Sequence, residues 1–395
     1  MSALDGLAGG LRARIVPGIA ALPAADWTAG QPDDAEGWDY YRACGSDLAA
    51  GVFDEHGLVL GLPLFRMEYR LDTPFQGRLA VVGRLLDRLF PRLMRWGMLG
   101  VGSPLAERCH VSVRPGLTAA ERAGAVDAML ALLEEEAART RALLVVFKDV
   151  STPEADWLAP LLTGRRFTAV SGLPVAQLDL AGLDVGGYLA RLSAATRKDV
   201  RRKLKSRAAV RVEHRERIDD VADKIEALYE STRQNSQLRY GEFEDLPPGY
   251  FRNLADAMPG RAHFVLYWVG GSLAAFNLLF VEPDRVIDKF LGMAYPLARD
   301  HNLYAVSWME NVRWTIAAGR SMLQSGQTAY AAKLRFGSSL LPSTNFVRCR
   351  NRLLDRIIRL AAPWLAFDRW DPDLRQRRER EEGREERRPR RTASP

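Results

Sequence analysis

The sequence predicts a mixed α/β protein of the α+β type, built from two similar halves, each a mostly antiparallel sheet layered with helices. Three observations carry that expectation. Short β-rich runs bounded by turn residues alternate with amphipathic helical stretches. The second half holds a three-strand meander, His263 to Val269, Ser272 to Val281 and Val286 to Met293, with turns at Gly270-Gly271 and Glu282-Pro283-Asp284-Arg285. Both halves run hairpin, helix, strand, helix, strand, a repeat of pattern without a residue-level repeat.

In order, Ala49 to Phe53 and Leu58 to Phe65 read as a hairpin around Asp54-Glu55-His56-Gly57. A helix is expected over Val82 to Arg95 and a strand over Met98 to Gly102. Ala119 to Thr140 has helical apolar spacing with Thr118 as its N-cap. Leu143 to Phe147 is strand-like, Pro153 to Leu162 helical, and Phe167 to Val170 and Val175 to Leu180 are strand-like. In the second half one helix is expected over Tyr188 to Arg207, from the stripe Leu189, Leu192, Thr196, Val200 and Leu204. Val210 to Val212 reads as a strand, and Ile218 to Asn235 and Pro248 to Ala257 as helices. Asn302 to Ala318 reads as a helix stopped by Gly319. Strands are expected at Ser321 to Gln324 and Asn345 to Arg348.

At 395 residues the chain exceeds one ordinary core. Domains are expected at 1–182 and 183–350, followed by an amphipathic helix over 351–371 and a disordered Arg/Glu-rich tail over 372–395. That helix carries Arg352, Arg356 and Arg359 on one side; packing on the body is expected, with peripheral membrane contact as the alternative. The formal net charge is +7, and the stretch from Arg375 to Pro395, with 9 Arg and 5 Glu, supplies +4 of it, so the body is only mildly basic. Cys44, Cys109 and Cys349 are sparse and far apart, which argues against a disulfide framework and for a cytoplasmic protein. No apolar run suggests a membrane span, and the five histidines have no metal-ligand spacing, so no metal is expected.

Two stretches carry candidate chemistry. Arg197, Lys198, Arg201, Arg202, Lys203, Lys205 and Arg207 form a dense basic run; Arg197, Arg201 and Lys205 fall one helical turn apart, beside Arg202. Such a face holds phosphates, or is an ordinary solvated face. The second is Gln324-Ser325-Gly326-Gln327-Thr328-Ala329-Tyr330-Ala331-Ala332-Lys333-Leu334-Arg335-Phe336-Gly337, where a strand ends at a glycine and a cationic segment follows. There Lys333 is suited to stabilising an oxyanion or phosphate and Tyr330 to moving a proton; the competing reading is a capped helix start with surface cations. Glu310 is a candidate base. No GxSxG elbow or GxGxxG loop is present.

The run Leu192 to Arg207 resembles the R-K-x-x-R-R-x-x-R helix that opens the second half of FemAB-like and BioF-like acetyltransferase-domain proteins. The segment from Gly326 to Gly337, with a lysine four residues before a glycine, looks like that family's closing motif, and Leu58 to Phe65, ending Gly-Leu-Pro-Leu-Phe, is similar to its first hairpin. The resemblance spans roughly residues 25 to 350 and implies a tandem fold of the GNAT superfamily.

It also implies an N-acyltransferase that moves an acetyl, longer acyl or aminoacyl group from an activated donor to an amine, with cell-envelope biosynthesis as one setting. Acyl-CoA or aminoacyl-tRNA would be the donor, with no tightly bound cofactor. A small-molecule or precursor amine is the acceptor, and tRNA is a possible partner. The family's lysine maps onto Lys333, flanked by Tyr330 and Phe336. Arg197, Arg201 and Arg202 would hold a phosphate; Asn311, Gln327 and Arg335 would help bind the substrate; Arg299 would contact a cofactor phosphate. The junction Tyr295 to Asn302 lacks the glycines of a usual acetyl-CoA loop, and Ile218 to Ala257 is too short for a FemAB-type tRNA arm. The alternatives are a non-catalytic protein whose cleft binds a phosphorylated cell-envelope precursor, and an RNA-binding protein that uses the basic helix and tail.

Overall fold

The computed structural model describes residues 1–45, 47–73, 78–236, 243 and 245–385. The first half runs β1 (Ala3–Leu4), β2 (Arg12–Val16), α1 (Ala24–Gly30), α2 (Trp38–Ala43), β3 (Leu48–Asp54), β4 (Gly57–Arg70), α3 (Arg78–Leu89), α4 (Pro91–Met94), β5 (Arg95–Val101), β6 (Ser112–Val113), α5 (Ala119–Arg139), β7 (Leu144–Val150), α6 (Glu154–Gly164), β8 (Thr168–Ser171) and β9 (Val175–Asp179). The second runs α7 (Val185–Arg191), α8 (Ala194–Lys203), β10 (Arg211–Arg215), α9 (Ala222–Asn235), α10 (Tyr250–Ala257), β11 (Ala262–Val269), β12 (Ser272–Val281), β13 (Arg285–Met293), α11 (Leu297–Asp300), α12 (Leu303–Ala317), β14 (Met322–Gly326), α13 (Tyr330–Arg335), β15 (Ser339–Leu341) and β16 (Thr344–Cys349). The chain closes with α14 (Arg352–Leu365), α15 (Phe367–Trp370) and α16 (Pro372–Glu385).

The strands form two sheets, ordered β1-β2-β3-β4-β5-β7-β16-β8 and β10-β11-β12-β13-β14-β9-β15. Aligned from β2 and β10, the two match strand for strand. Neighbours are antiparallel except at one junction in each, β5 with β7 and β13 with β14. The expected mixed α/β architecture of two similar halves is therefore present. The expected boundary at 182/183 is not where the sheets divide. β16, from late in the chain, pairs with β7 and β8 in the first sheet, and β9, from the first half, pairs with β14 and β15 in the second. The halves exchange one strand each, so neither sheet is complete without the other half's chain.

Local signals explain most elements. Thr118 and Glu121 form a reciprocal capping box at the start of α5. The single helix expected over Tyr188 to Arg207 is broken: α7 ends at Arg191, the Ser193 hydroxyl accepts from the Thr196 N–H to cap α8, and residues 204–209 finish as a 3₁₀ turn. The stripe was continuous, but Ser193 offered a cap in the middle of it. The tail also departs from expectation. Residues 372–385 are helical, Leu374 is buried, and Asp373 Oδ2 accepts from the Ala331 N–H at 2.8 Å; residues 386–395 lie outside the described residues.

Three large apolar cores stand out among the described residues. One lies between the first sheet and α5 and α6, with Leu99, Leu132 and Leu162 fully buried. A second packs β11–β14 against α7, α8 and α12, with Val200, Val306 and Val312 at its centre. The third joins the halves: Trp27, Tyr40 and Tyr41 of α1 and α2 meet Phe251, Phe276 and Phe280 of the second half, with Tyr40 edge-on to Phe280 at 5.6 Å. Large rings at such a seam bury much area and lock the two sheets' relative placement.

Candidate functional site

The β13–β14 junction is the origin of the site. These strands keep parallel register only at Arg285–Met322, Val286–Leu323 and Ile287–Gln324. Beyond it β14 pairs only with β9, while β13 runs on to Met293. Asp288, Lys289 and Phe290 from one strand and Ser325 and Gly326 from the other then line a cavity of about 610 Å³. The first half adds Leu105, Ala106 and Glu107 in the loop after β5, and Phe65, Trp96, Met98 and Val146 of the first sheet, while Tyr229 and Thr232 of α9 and Tyr304, Ser307 and Trp308 of α12 close the second half's side. Ile358 and Leu365 of α14 cover that apolar end.

Charge is concentrated where the strands part. The Lys333 ammonium, buried, donates to the carbonyls of Gly326 and Gln327 at 3.1 and 3.0 Å. Burial draws it down to about 8, although the Glu107 and Asp288 carboxylates favour its charged form. Asp288 accepts from the Asn277 amide at 2.8 Å, yet burial pushes its carboxyl up to about 7. Burial also raises Glu107. Two carboxyls and an ammonium whose proton affinities are drawn toward neutrality in one enclosure can trade protons near physiological pH.

Both halves are needed to build this centre. Gln324 Nε2 donates to Glu107 Oε2 at 2.9 Å, Lys289 Nζ donates to the Leu105 carbonyl at 2.5 Å, and Lys289 pairs with Glu36 at 2.5 Å. Lys148 donates to the Ala106 carbonyl at 3.0 Å and pairs with Asp149. Gly326 has φ +75°, and a Cβ there would stand 2.2 Å from Glu107 Oε1. Only glycine permits both that backbone and the carboxylate's close approach.

Of the residues singled out in the sequence, Lys333 and Gln327 line the cavity, with Gln327 Nε2 also donating to the Leu173 carbonyl at 2.8 Å. Asn311 is buried one turn beyond Ser307, beside Asp288, whose charged form it favours. Arg299 sits on α11 with its guanidinium 5.1 Å from the ring of Tyr295, a cavity residue.

Others are placed elsewhere. The Tyr330 hydroxyl donates to the Pro174 carbonyl at 2.7 Å, and its side chain is buried against Leu173 and Leu374. Phe336 is a core residue against Trp308. Glu310 lies off the face of α12 that carries Tyr304, Ser307 and Trp308 into the cavity; it contacts His214 at 3.3 Å and Arg207 at 3.8 Å. Arg197 donates to the Leu189, Ala190 and Leu192 carbonyls, capping α7. Arg202 and Arg335 pair with Asp199, and Arg201 is exposed away from the cavity lining. Expecting these side chains in the site assumed that neighbours in sequence share one face. Glu107, Asp288 and Lys289 were missed; Asp288 and Lys289 had one signal, an Asp-Lys pair inside a mostly apolar strand, and Glu107 had none.

Residues 194–334 match the acetyltransferase (GNAT) domain family. Among solved structures, FemX is 12% identical, with 79% of this chain and 90% of that one covered at a TM-score of 0.50. The C-terminal domain (DUF2156) of a putative lysylphosphatidylglycerol synthetase from Agrobacterium fabrum is 16% identical, covering 85% and 95%, at 0.48. A tandem GNAT protein from the clavulanic acid biosynthesis pathway is 13% identical, covering 76% and 82%, at 0.44. No protein of curated function matches the chain in sequence. The second half thus contains a region, residues 194–334, that matches the GNAT acetyltransferase domain, and the first half carries a sheet of the same strand order.

Proposed function

We propose that the chain is an N-acyltransferase whose reaction takes place where β13 and β14 part, between its two halves. The observation that carries this is the buried cluster of Lys333, Asp288 and Glu107 in the wall of a mostly apolar cavity. The donor's acyl carbonyl sits beside Lys333. The acceptor amine attacks it, a C–N bond forms, and the ammonium stabilises the oxyanion, an effect of a few kcal/mol (about 3). Asp288, with a proton affinity close to neutrality, takes the proton that the attacking nitrogen sheds. The bond to the leaving group breaks and the proton held by Asp288 passes to it, releasing a thiol from acyl-CoA or a ribose hydroxyl from aminoacyl-tRNA. Gln327 orients the substrate from the cavity wall, Asn311 tunes Asp288 from behind, and Arg299 meets a donor phosphate at the rim. Arg197 and Arg202 are already engaged within the fold, which disfavours a phosphate- or RNA-holding role for that helix.

The donor is identified by melting the full chain with acetyl-CoA, longer acyl-CoAs and aminoacyl-tRNA in turn. A ligand that binds only the folded state raises the melting point. A rise with one donor class supports the reading; no rise with any of them removes it.

A further inference from the structure

The surface beside the cavity has an unusual composition. Apart from Met1, every large apolar side chain that stands exposed among the described residues lies on α3–α4 or on α14. α3–α4 shows seven of them between Val81 and Leu93, among them Leu89 and Phe90. On α14 they are Leu353, Ile357, Leu360 and Trp364, spaced four, three and four apart, so they form one outward stripe, while Ile358 and Leu365 face the cavity. An apolar area of this kind on a folded protein marks a contact surface.

The charges say which kind. The one acid of α3, Asp87, is buried and held by Arg95 Nε at 2.7 Å; the one acid of α14, Asp355, is buried and accepts from the Cys349 N–H at 3.0 Å. The charged side chains those two helices leave exposed are arginines: Arg84 and Arg88 on one, Arg352, Arg356 and Arg359 on the other. Leucines and aromatics bordered only by cations fit the boundary of an anionic bilayer. The site is also continuous with this surface. Leu71 and Trp96, which flank α3–α4 in the chain, and Ile358 and Leu365 of α14 all line the same apolar end of the cavity.

We propose that α3–α4 and α14 dock the protein on an anionic lipid surface, with the apolar end of the cavity opening toward the lipid. No helix among the described residues is long and apolar enough to cross a membrane, so the attachment is peripheral. An apolar chain of donor or acceptor then enters the cavity from the bilayer; this part alone rests on the transfer reading above, and the docking does not.

The test is co-sedimentation of the full chain with vesicles of phosphatidylcholine alone and of phosphatidylcholine mixed with phosphatidylglycerol, at low and high salt. Binding to the mixed vesicles, weakened by salt, is expected. Leu360→Asn with Trp364→Asn, and separately Leu89→Asn with Phe90→Asn, should each lower the partition at least about tenfold, since each removes two exposed apolar side chains from the lipid contact. All four positions are more than half exposed, and unchanged melting confirms that the variants fold. Absent binding to anionic vesicles, or equal binding by the variants, overturns the proposal. So does a wild-type dimer that the variants convert to monomer without any vesicle binding, which would assign the face to a second copy. Transfer to a water-soluble amine without vesicles reports on the chemistry separately, so the two readings fail independently.

Discussion

Glu107 of the first half accepts a hydrogen bond from the Gln324 side chain of the second at 2.9 Å, directly over Gly326, a backbone position where a side chain has no room. That contact ties the loop after β5 to the end of β14, and with it sets the distance between the cavity's two walls. Gly326→Ala should destabilise the protein by at least about 1–2 kcal/mol through the left-handed backbone alone. The Glu107 clash adds to this, so turnover should fall even where the variant folds. Urea denaturation and a turnover assay on the folded fraction check both parts.

Lys333→Ala should lower turnover by about 10²–10³-fold, the usual loss on removing one donor to a developing oxyanion. The donor's binding should change less, because most of the cavity wall is apolar. Steady-state kinetics that separate kcat from KM check this.

The carboxyl of Asp288 lies near 7 in the folded protein, against an ordinary value near 4. Between those values the folded state holds a proton that the unfolded state has lost, so ionising this group destabilises the fold as pH rises from about 4 to 7. For Lys333, drawn down to about 8, the unfolded chain holds the extra proton between about 8 and 10.5, so its contribution rises with pH there. Relative to Asp288→Asn, wild-type stability should therefore decline across the acidic window. Denaturant midpoints of the two proteins at a series of pH values measure the difference.

Activity should follow the same group with the opposite sense. A base must be ionised, so kcat/KM should rise with pH through an apparent value near 7. Because Asp288, Glu107 and Lys333 interact, that value belongs to the cluster. The pH–rate profile of Asp288→Asn should lose this limb.

Arg197→Ala should reduce stability by about 1 kcal/mol while leaving turnover intact, because its guanidinium caps the carbonyls at the end of α7. A thermal melt alongside the turnover assay separates this from a role in substrate binding.

Much of the fold was legible because it is written in local chemistry. The Gly270-Gly271 turn, the Thr118 cap and the Gly319 stop each fix an element end within a few residues. The strand exchange was not legible: Val175–Asp179 and Thr344–Cys349 each read as a strand, but nothing in a strand's own residues names the sheet it joins. The tail illustrates the same limit. Its composition is that of a solvated chain, yet one apolar residue, Leu374, and one acid, Asp373, suffice to seat the start of α16 against α13. Within the site, Lys333 stood out because a lysine four residues before a glycine follows a strand end. Glu107 reaches it from the loop after β5 and Asp288 from β13, both far away in sequence, so only the folded chain brings them together.

The most direct measurement is the rate of acyl transfer by Asp288→Asn and Lys333→Ala, using whichever donor stabilises the wild-type protein. If the chemistry occurs where β13 and β14 separate, both folded variants transfer at least about 100-fold more slowly than wild type. Wild-type rates in both would place the reaction elsewhere.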